Sequence, residues 1–426
     1  MSKNRNRPTY VEHGANWVHG QVANVAFKIA NENGLVEAFA EPWEEQYILE
    51  GANNFVDEEI TNVFEDIIET LEEKDSENFE APKGYSLGHY VDERFEVHTS
   101  DDSSDLDPKL RPYAAIFKDN YRRNVRVIDG NDNWYDLSYH GSYEMYVELE
   151  GNPVTPFKDD KKYEDLVQIF KNDIPYSNIL YDTFVTKIDY SDPKSVKILT
   201  AKKEEYKADI VVFTGSLGVL KSQAKTLFHP ALDNDKIEAI DKIGFGTVDK
   251  VYLEFEKDWP RDIQWMSFLF KEPMNFTKED AIKDWTRFIG GVHILPNAPN
   301  ILSLWITGEA AKIIENMDIE EVKQDAMNLL RKFLGNVEAF KDMPDPINVQ
   351  VTKWYSNPSI QGSYSYQTTQ SDLANLGPST LARPQGEGRL LFAGEATHEK
   401  YFSTVHGAIE SGWREADRII CGLTEK

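Results

Sequence analysis

Hydrophobic and polar positions recur with two different periods along this chain, and the switches between them lay out its elements. Over residues 57–80, Ile60, Phe64, Ile67, Ile68 and Leu71 fall at helical spacing in a dense acidic background, which predicts an amphipathic helix with a solvated acidic face. Asp101-Asp102-Ser103-Ser104-Asp105 predicts a loop leading into a helix. From Leu180 to Thr214 the period drops to that of strands. Phe184 to Ile188 alternates and Val196 to Leu199 follows. Ile210 to Phe213 is a continuous apolar run ending at Thr214-Gly215, as expected of a strand buried on both faces. Asp318 opens a helix, with Glu321 completing a capping box and Gly335 at the C′ position. Its apolar stripe is Ile319, Val322, Ala326, Leu329, Leu330 and Phe333. A buried strand over Arg389 to Phe392 ends at Gly394-Glu395. Helical periodicity then resumes from Val405 to Ile420 through Ala408, Ile409, Gly412 and Ala416.

The β-rich parts, 180–215 and 389–395, are separated by a helical and mixed region, which implies two domains wound through each other. At 426 residues with 40% hydrophobic side chains, the chain can bury a large core. The formal net charge of −27 repels nucleic acid and anionic membrane and attracts cations, although solubility alone accounts for such a surface. The single cysteine, Cys421, cannot form an internal disulfide. No stretch approaches the roughly 18 apolar residues of a membrane-spanning helix. The N-terminal residues lack the apolar run of a signal peptide and the last four are not a Ser-Lys-Leu type address, so the cytosol is the expected compartment. No metal site is expected.

The strand end at Gly394-Glu395, feeding a helix that begins near Val405, has the form that binds nucleotide cofactors in open α/β sheets. Free amides and the positive dipole end favour an anion there. The residues sharpen this. Phe392-Ala393-Gly394-Glu395-Ala396-Thr397-His398, Tyr401 to Ala408 and Ser411-Gly412-Trp413-Arg414-Glu415-Ala416 resemble the C-terminal flavin motif of the flavin-containing amine oxidases, in the polyamine oxidase branch. By that resemblance Glu395, beside Gly394, hydrogen-bonds the ribityl chain of a bound FAD, and the backbone at Thr404 and Val405 meets the pyrimidine edge of the flavin.

Four further segments agree. Val11 to Gly20 is similar to the family's flavin-contacting segment, which makes Gly14, Ala15 and Trp17 cofactor contacts and places His19 near the substrate nitrogen. Outside this context a lone histidine is more often structural. Val185 corresponds to the residue whose backbone meets adenine, and Ala208 to Leu220 matches a family signature. Gly246 to Phe255 puts Lys250 at the family's lysine position, where it holds a water near flavin N5. A strand lysine by itself is ordinarily a surface residue. Trp354 to Pro358 and Gly362 to Tyr366 resemble the segment on the flavin's other side. Tyr364 becomes one wall of the substrate site. Ser363 stands where monoamine oxidases carry a cysteine bonded to flavin, so the FAD is expected to be noncovalent. Thr404 replaces their second aromatic wall, which favours a long aliphatic amine.

The resemblance implies an α/β fold with an α+β substrate domain: an incomplete, Rossmann-like FAD-binding domain (1–30, 175–230 and 385–426) interleaved with a mixed-sheet and helical substrate-binding domain (31–174 and 231–384). It implies oxidation of spermine, spermidine or N1-acetyl derivatives to an aldehyde, a shorter amine and hydrogen peroxide, with O2 as co-substrate and Lys250 and His19 as catalytic groups. The family's opening Gly-x-Gly-x-x-Gly turn has no counterpart in the sequence. An incomplete gene model, a shortened paralogue that binds polyamines without catalysis, and a partner chain that supplies the segment all stay open. Residues 136–157 align only loosely with the family's segment of substrate-binding carboxylates. Gly141, Glu144 and Glu148 are present there without an assigned contact.

Overall fold

A computed structural model describes residues 11–40, 43–75, 79–100 and 106–424. In chain order, strand β1 (Glu45–Leu49) precedes helices α1 (Glu58–Glu69), α2 (Leu87–Thr99) and α3 (Arg111–Ile128). Strands β2 (Val185–Asp189), β3 (Val196–Thr200) and β4 (Glu205–Ala208) lead to β5 (Val211–Phe213) and α4 (Leu217–Leu227). Then come β6 (Val248–Glu254), β7 (Trp265–Leu269), β8 (Ile289–Ile294), β9 (Ile301–Thr307), α5 (Ile319–Leu334), β10 (Asn348–Val351), β11 (Leu390–Phe392) and α6 (Val405–Thr424).

The largest sheet has the order β10-β6-β9-β8-β7-β1, antiparallel except for the β7–β1 pair. Strand alternation gives it two different faces. Val251, Leu253, Val292, Ile294, Leu302, Leu304 and Ile306 share one core with Val322, Ala326, Leu330 and Phe333 of α5. Phe268 stacks on Phe333 at 4.5 Å between ring centroids. The register places Lys250 opposite Trp305, Tyr252 opposite Ser303, Ser303 opposite His293, and His293 opposite Trp265. These residues therefore lie together on the other face, which is polar and aromatic. Helix α3 is tied to the sheet by buried Arg123, which donates to Asp119 at 2.5 Å and to the Phe268 carbonyl at 2.7 Å.

A second unit is built on β2, β3 and β4, joined by the short strand Phe228–His229 parallel to β2, and on the separate parallel pair β5–β11. Strand β11 is buried throughout, as expected, but β5 is not: Val212 is 37% exposed. Only one edge of β5 is paired among the described residues. The apolar run was therefore a poor guide to burial on both faces.

The acidic helix forms as α1, capped by Asp57 and burying Phe64, and a π-helical turn over Thr70–Asp75 buries Leu71. Residues 76–78 of that stretch, and the 101–105 loop, lie outside the described residues. Helix α5 forms, with three local corrections. Asp318 caps through the Glu320 amide, with no reciprocal bond from Glu321. Ile319 is 42% exposed and stands off the buried stripe. Gly335 is right-handed at φ −61 and is the C-cap itself, not a left-handed C′ residue.

Candidate active site

The polar-aromatic face of the large sheet is covered by residues 12–19, and Lys250 is the link. Its side chain is buried, at 3% exposure. The amine donates to the Gly14 carbonyl (2.5 Å), Asn16 Oδ1 (2.5 Å) and the Glu12 carbonyl (3.2 Å), and lies 4.1 Å from the Trp305 ring centroid. Burial pushes this amine down to about 7, while Glu12 and Asp249 oppose the shift. All three partners are acceptors, and only the ammonium has three hydrogens to give them, so the charged form is the one the geometry serves. Tyr252, on the same face, donates to the Glu12 carbonyl at 2.5 Å.

The Trp354 segment closes over the same residues. Trp354 Nε1 donates to the His13 carbonyl at 3.1 Å. Its backbone is held by a buried acid pair that the sequence did not reveal. Asp249 accepts from the Trp354 amide, and Glu315 accepts from the amides of Tyr355 (2.7 Å) and Ser356 (2.8 Å). Burial beside Glu315 pushes Asp249 up to about 8. Ser363 is fully engaged by Val248, accepting from its amide (2.8 Å) and donating to its carbonyl (2.9 Å). Tyr364 donates to the Val127 carbonyl and shares an apolar cluster with Trp17, Trp305 and Val127.

His19 keeps accessible surface although protein packs around its ring. Trp17 lies 6.0 Å away, ring to ring. Burial lowers the His19 pKa, which keeps the imidazole neutral. Asp129, Tyr143, Tyr364 and Glu395 are each half-buried.

Just beyond β11, Glu395 Oε2 accepts from the Ser365 hydroxyl and the Ser403 amide, each at 2.7 Å. Burial raises its pKa against those bonds. Gly394 adopts φ +127, a conformation that favours glycine, and nothing lies within 4 Å of where a side chain would stand. Thr404 caps α6, its hydroxyl accepting from the Gly407 amide at 3.0 Å and donating to the Tyr401 carbonyl at 2.7 Å. Earlier amides of the first turn, at Val405 and His406, have no intrahelical partner and present a partial positive charge.

The structure thus brings together Gly14, Trp17, His19, Lys250, Trp354 and Tyr364 at one side, and Gly394, Glu395, Thr404 and Val405 at the other. Ala15 is exposed beside Gly14. Val185 stands apart from both groups. It lines an apolar cavity of about 390 Å³ with Phe184, Val212, Thr214, Val219 and Ser359. Asp129, Asp249 and Glu315 carried no local pattern that marked them.

These features fit the flavin end of FAD: open space at Gly394, a buried carboxylate with acceptor capacity for a hydroxyl, and a helix N-terminus for an electron-rich ring edge. The family model for flavin containing amine oxidoreductases matches residues 1–420. A peroxisomal N(1)-acetyl-spermine/spermidine oxidase from Bos taurus is 30% identical over 96% of this chain and 85% of its own length. A probable polyamine oxidase 5 from Arabidopsis thaliana is 25% identical over 96% of this chain and 88% of its own. Among solved structures, a putrescine oxidase double mutant superposes with a TM-score of 0.63 over 96% of this chain and 87% of its own, and at 14% identity this likeness establishes the α/β fold. No helix among the described residues is long and apolar enough to cross a membrane. The chain belongs to the flavin containing amine oxidoreductases, and its cofactor is FAD.

Proposed function

We propose that this protein oxidises polyamines, spermine, spermidine or their N1-acetyl derivatives, to an aldehyde, a shorter amine and hydrogen peroxide. The observation that carries this reading is the buried Lys250 amine that clamps residues 12–16 beside His19, whose imidazole is kept neutral by burial. FAD, when bound, supplies two-electron oxidation of the carbon next to the amine nitrogen, with O2 as final acceptor. The protein's part is to bind, orient and keep water away. A neutral imidazole at His19 accepts a hydrogen bond from an amine and does not oppose its deprotonation. Tyr364 forms one wall of the substrate site. Thr404, its hydroxyl committed to the helix cap, leaves the opposite wall without an aromatic ring, which suits a slender aliphatic chain.

In this reading Gly14, Ala15, Trp17, Trp354, Gly394, Glu395, Thr404 and Val405 hold the flavin end, and Val185 the adenine end. Ser363, engaged with Val248, offers no covalent link. The cofactor-binding parts are residues 1–30, 175–230 and 385–426, and the remainder forms the substrate domain. One observation favours a second reading, a polyamine-binding homologue without catalysis. The unpaired edge of β5 adjoins the apolar cavity at Val185, and no glycine-rich turn stands there among the described residues. A partner chain or segment that completes this edge would reconcile the two.

Purified protein should show a flavin absorption band and release peroxide on addition of spermine or N1-acetylspermine. Protein that stays colourless after refolding with FAD overturns the oxidase reading, while peroxide release removes the non-catalytic one.

A further inference from the structure

His19 is anchored through its main chain, by a residue that carried no pattern to mark it in the sequence. Asn24 is 2% exposed and is the N-cap of the helix Val25–Glu32, its Oδ1 accepting from the Phe27 amide at 3.0 Å. That bond fixes which way the side-chain amide faces. Nδ2 therefore points back along the chain. It donates to the His19 carbonyl at 2.7 Å and to the Gly20 carbonyl at 3.3 Å, and lies 3.4 Å from Nδ1 of His406. His406 is buried in the first turn of α6. Because Nδ2 only donates, His406 Nδ1 is the bare nitrogen and Nε2 carries the hydrogen. Nε2 has no partner among the described residues, so Asn24 is the one hydrogen-bonding tie of this ring.

Three elements meet at this side chain. Val405 and Ile409 of α6 pack against the core that holds Ala26 and Ala30 of the capped helix. The link from His19 to that helix is short and sharply turned, with Gly20 at φ +72 and Ala23 at φ +62. A Cβ on Gly20 would lie 2.4 Å from the Leu149 carbonyl, so the turn has no room to shift toward that strand of chain. The Gly20 and Gln21 amides donate to the Asn152 and Glu150 carbonyls at 3.1 and 2.8 Å. The His19 side chain keeps accessible surface, and its place is therefore set by its main chain more than by packing on the ring. Burial, then the nearby His19 and His398, push His406 down to about 4, so the ring that faces Asn24 is neutral.

We propose that Asn24 is a positioning residue of this site: its side-chain amide ties the His19 main chain to the first turn of α6 and so sets where the His19 imidazole stands. The kinetic arm of its test rests on the oxidase reading. Asn24→Ser keeps an oxygen that caps the helix, since serine and asparagine cap about equally well, but is too short to reach the His19 carbonyl. In the FAD-loaded full chain, single-turnover flavin reduction by N1-acetylspermine should fall about 10- to 100-fold, the cost of a misplacement of about 1 Å. Reoxidation by O2 and the thermal midpoint should stay close to wild type. In a His19→Ala background the same substitution should cost less than about twofold, because it acts through His19. A residue that only caps the helix predicts no loss in either background. Should the serine variant fail to fold, Asn24→Asp keeps the cap and the shape without the donor, and should lose at least as much. Losses that add to those of His19→Ala, or none, overturn the proposal. The second arm needs no turnover: ¹⁵N spectra of the full chain labelled at histidine. Wild type should show His406 with its hydrogen on Nε2, and Asn24→Ser should move the His19 and His406 signals while leaving those of His229 and His293 in place. An unmoved His19 signal, or a hydrogen on His406 Nδ1, overturns the positioning role. If wild type oxidises no amine, the oxidase reading falls and these spectra alone decide this one.

Discussion

Lys250→Met is expected to lower amine oxidation by about 10²- to 10⁴-fold, the range of a lost proton-handling group, in protein that still folds. The methionine preserves the stem over Trp305 but leaves the Glu12 and Gly14 carbonyls and Asn16 without their shared donor. Residues 12–19 are then held to the sheet mainly by the Tyr252 bond to the Glu12 carbonyl, and the positions of Trp17 and His19 loosen. Single-turnover measurements of substrate oxidation and of reoxidation by O2 identify which half is affected. A variant within about threefold of wild type in both removes Lys250 from the mechanism. Stability adds a readout that a purely structural lysine also has to obey. The folded-state pKa lies at about 7, below the 10.5 of a free lysine, so the unfolded chain binds the proton more readily between those values. The burial penalty is complete below about 7 and disappears as pH rises toward 10.5. Urea unfolding should therefore show wild type gaining stability relative to Lys250→Met over that interval. The opposite slope would mean that the charge is stabilised in place.

How Lys250 comes to be buried illustrates what the sequence carries and what it does not. The resemblance from Gly246 to Phe255 identifies both the strand and the position of Lys250. The pattern does not say which face is covered, because the covering residues 12–16 lie more than 230 positions away in the chain. The same gap explains β5. An apolar run reports that side chains tend to avoid water, not whether another element packs over the face they point to, and Val212 remains partly bare. Asp129 was illegible for a different reason. At the end of a helix it looks like an ordinary acid before a glycine turn, and only its burial, with Glu72 and Glu148 acting from two other elements, makes its charge unusual. Local capping was read less well than periodicity. The Asp318 cap and Gly335 differ from expectation because several hydrogen-bonding solutions end a helix equally well. Glu395, by contrast, was legible from a run of some 25 positions whose spacing survives in the strand, loop and helix that hold it.

Replacing Glu395 by alanine should release the flavin, with affinity falling by about 10²-fold or more, as loss of a buried charged hydrogen-bond acceptor implies. Two effects act in the same direction. The cofactor loses an acceptor in a site with little water to replace it. The protein loses the bridge between Ser365 and Ser403, whose donors both converge on Oε2 at 2.7 Å. Ser403 sits at φ +67, a conformation few side chains favour, and its hydroxyl donates back to the Ser365 carbonyl. Without Glu395 that turn has one anchor fewer, and the turn sets where α6 begins and where its first amides point. Glu395→Gln separates the effects. The amide keeps the shape and an oxygen for Ser403, but turns one acceptor into a donor, so it should retain flavin better than alanine and worse than wild type. Flavin fluorescence after gel filtration, followed by titration with FAD, measures both. Burial raises the Glu395 pKa, so wild type should also lose flavin on acidification at a higher pH than a surface glutamate would dictate, whereas Glu395→Gln should lack that step. If alanine holds flavin as tightly as glutamate does, the carboxylate is a brace for the turn alone, and the grip on the cofactor lies in the α6 amides.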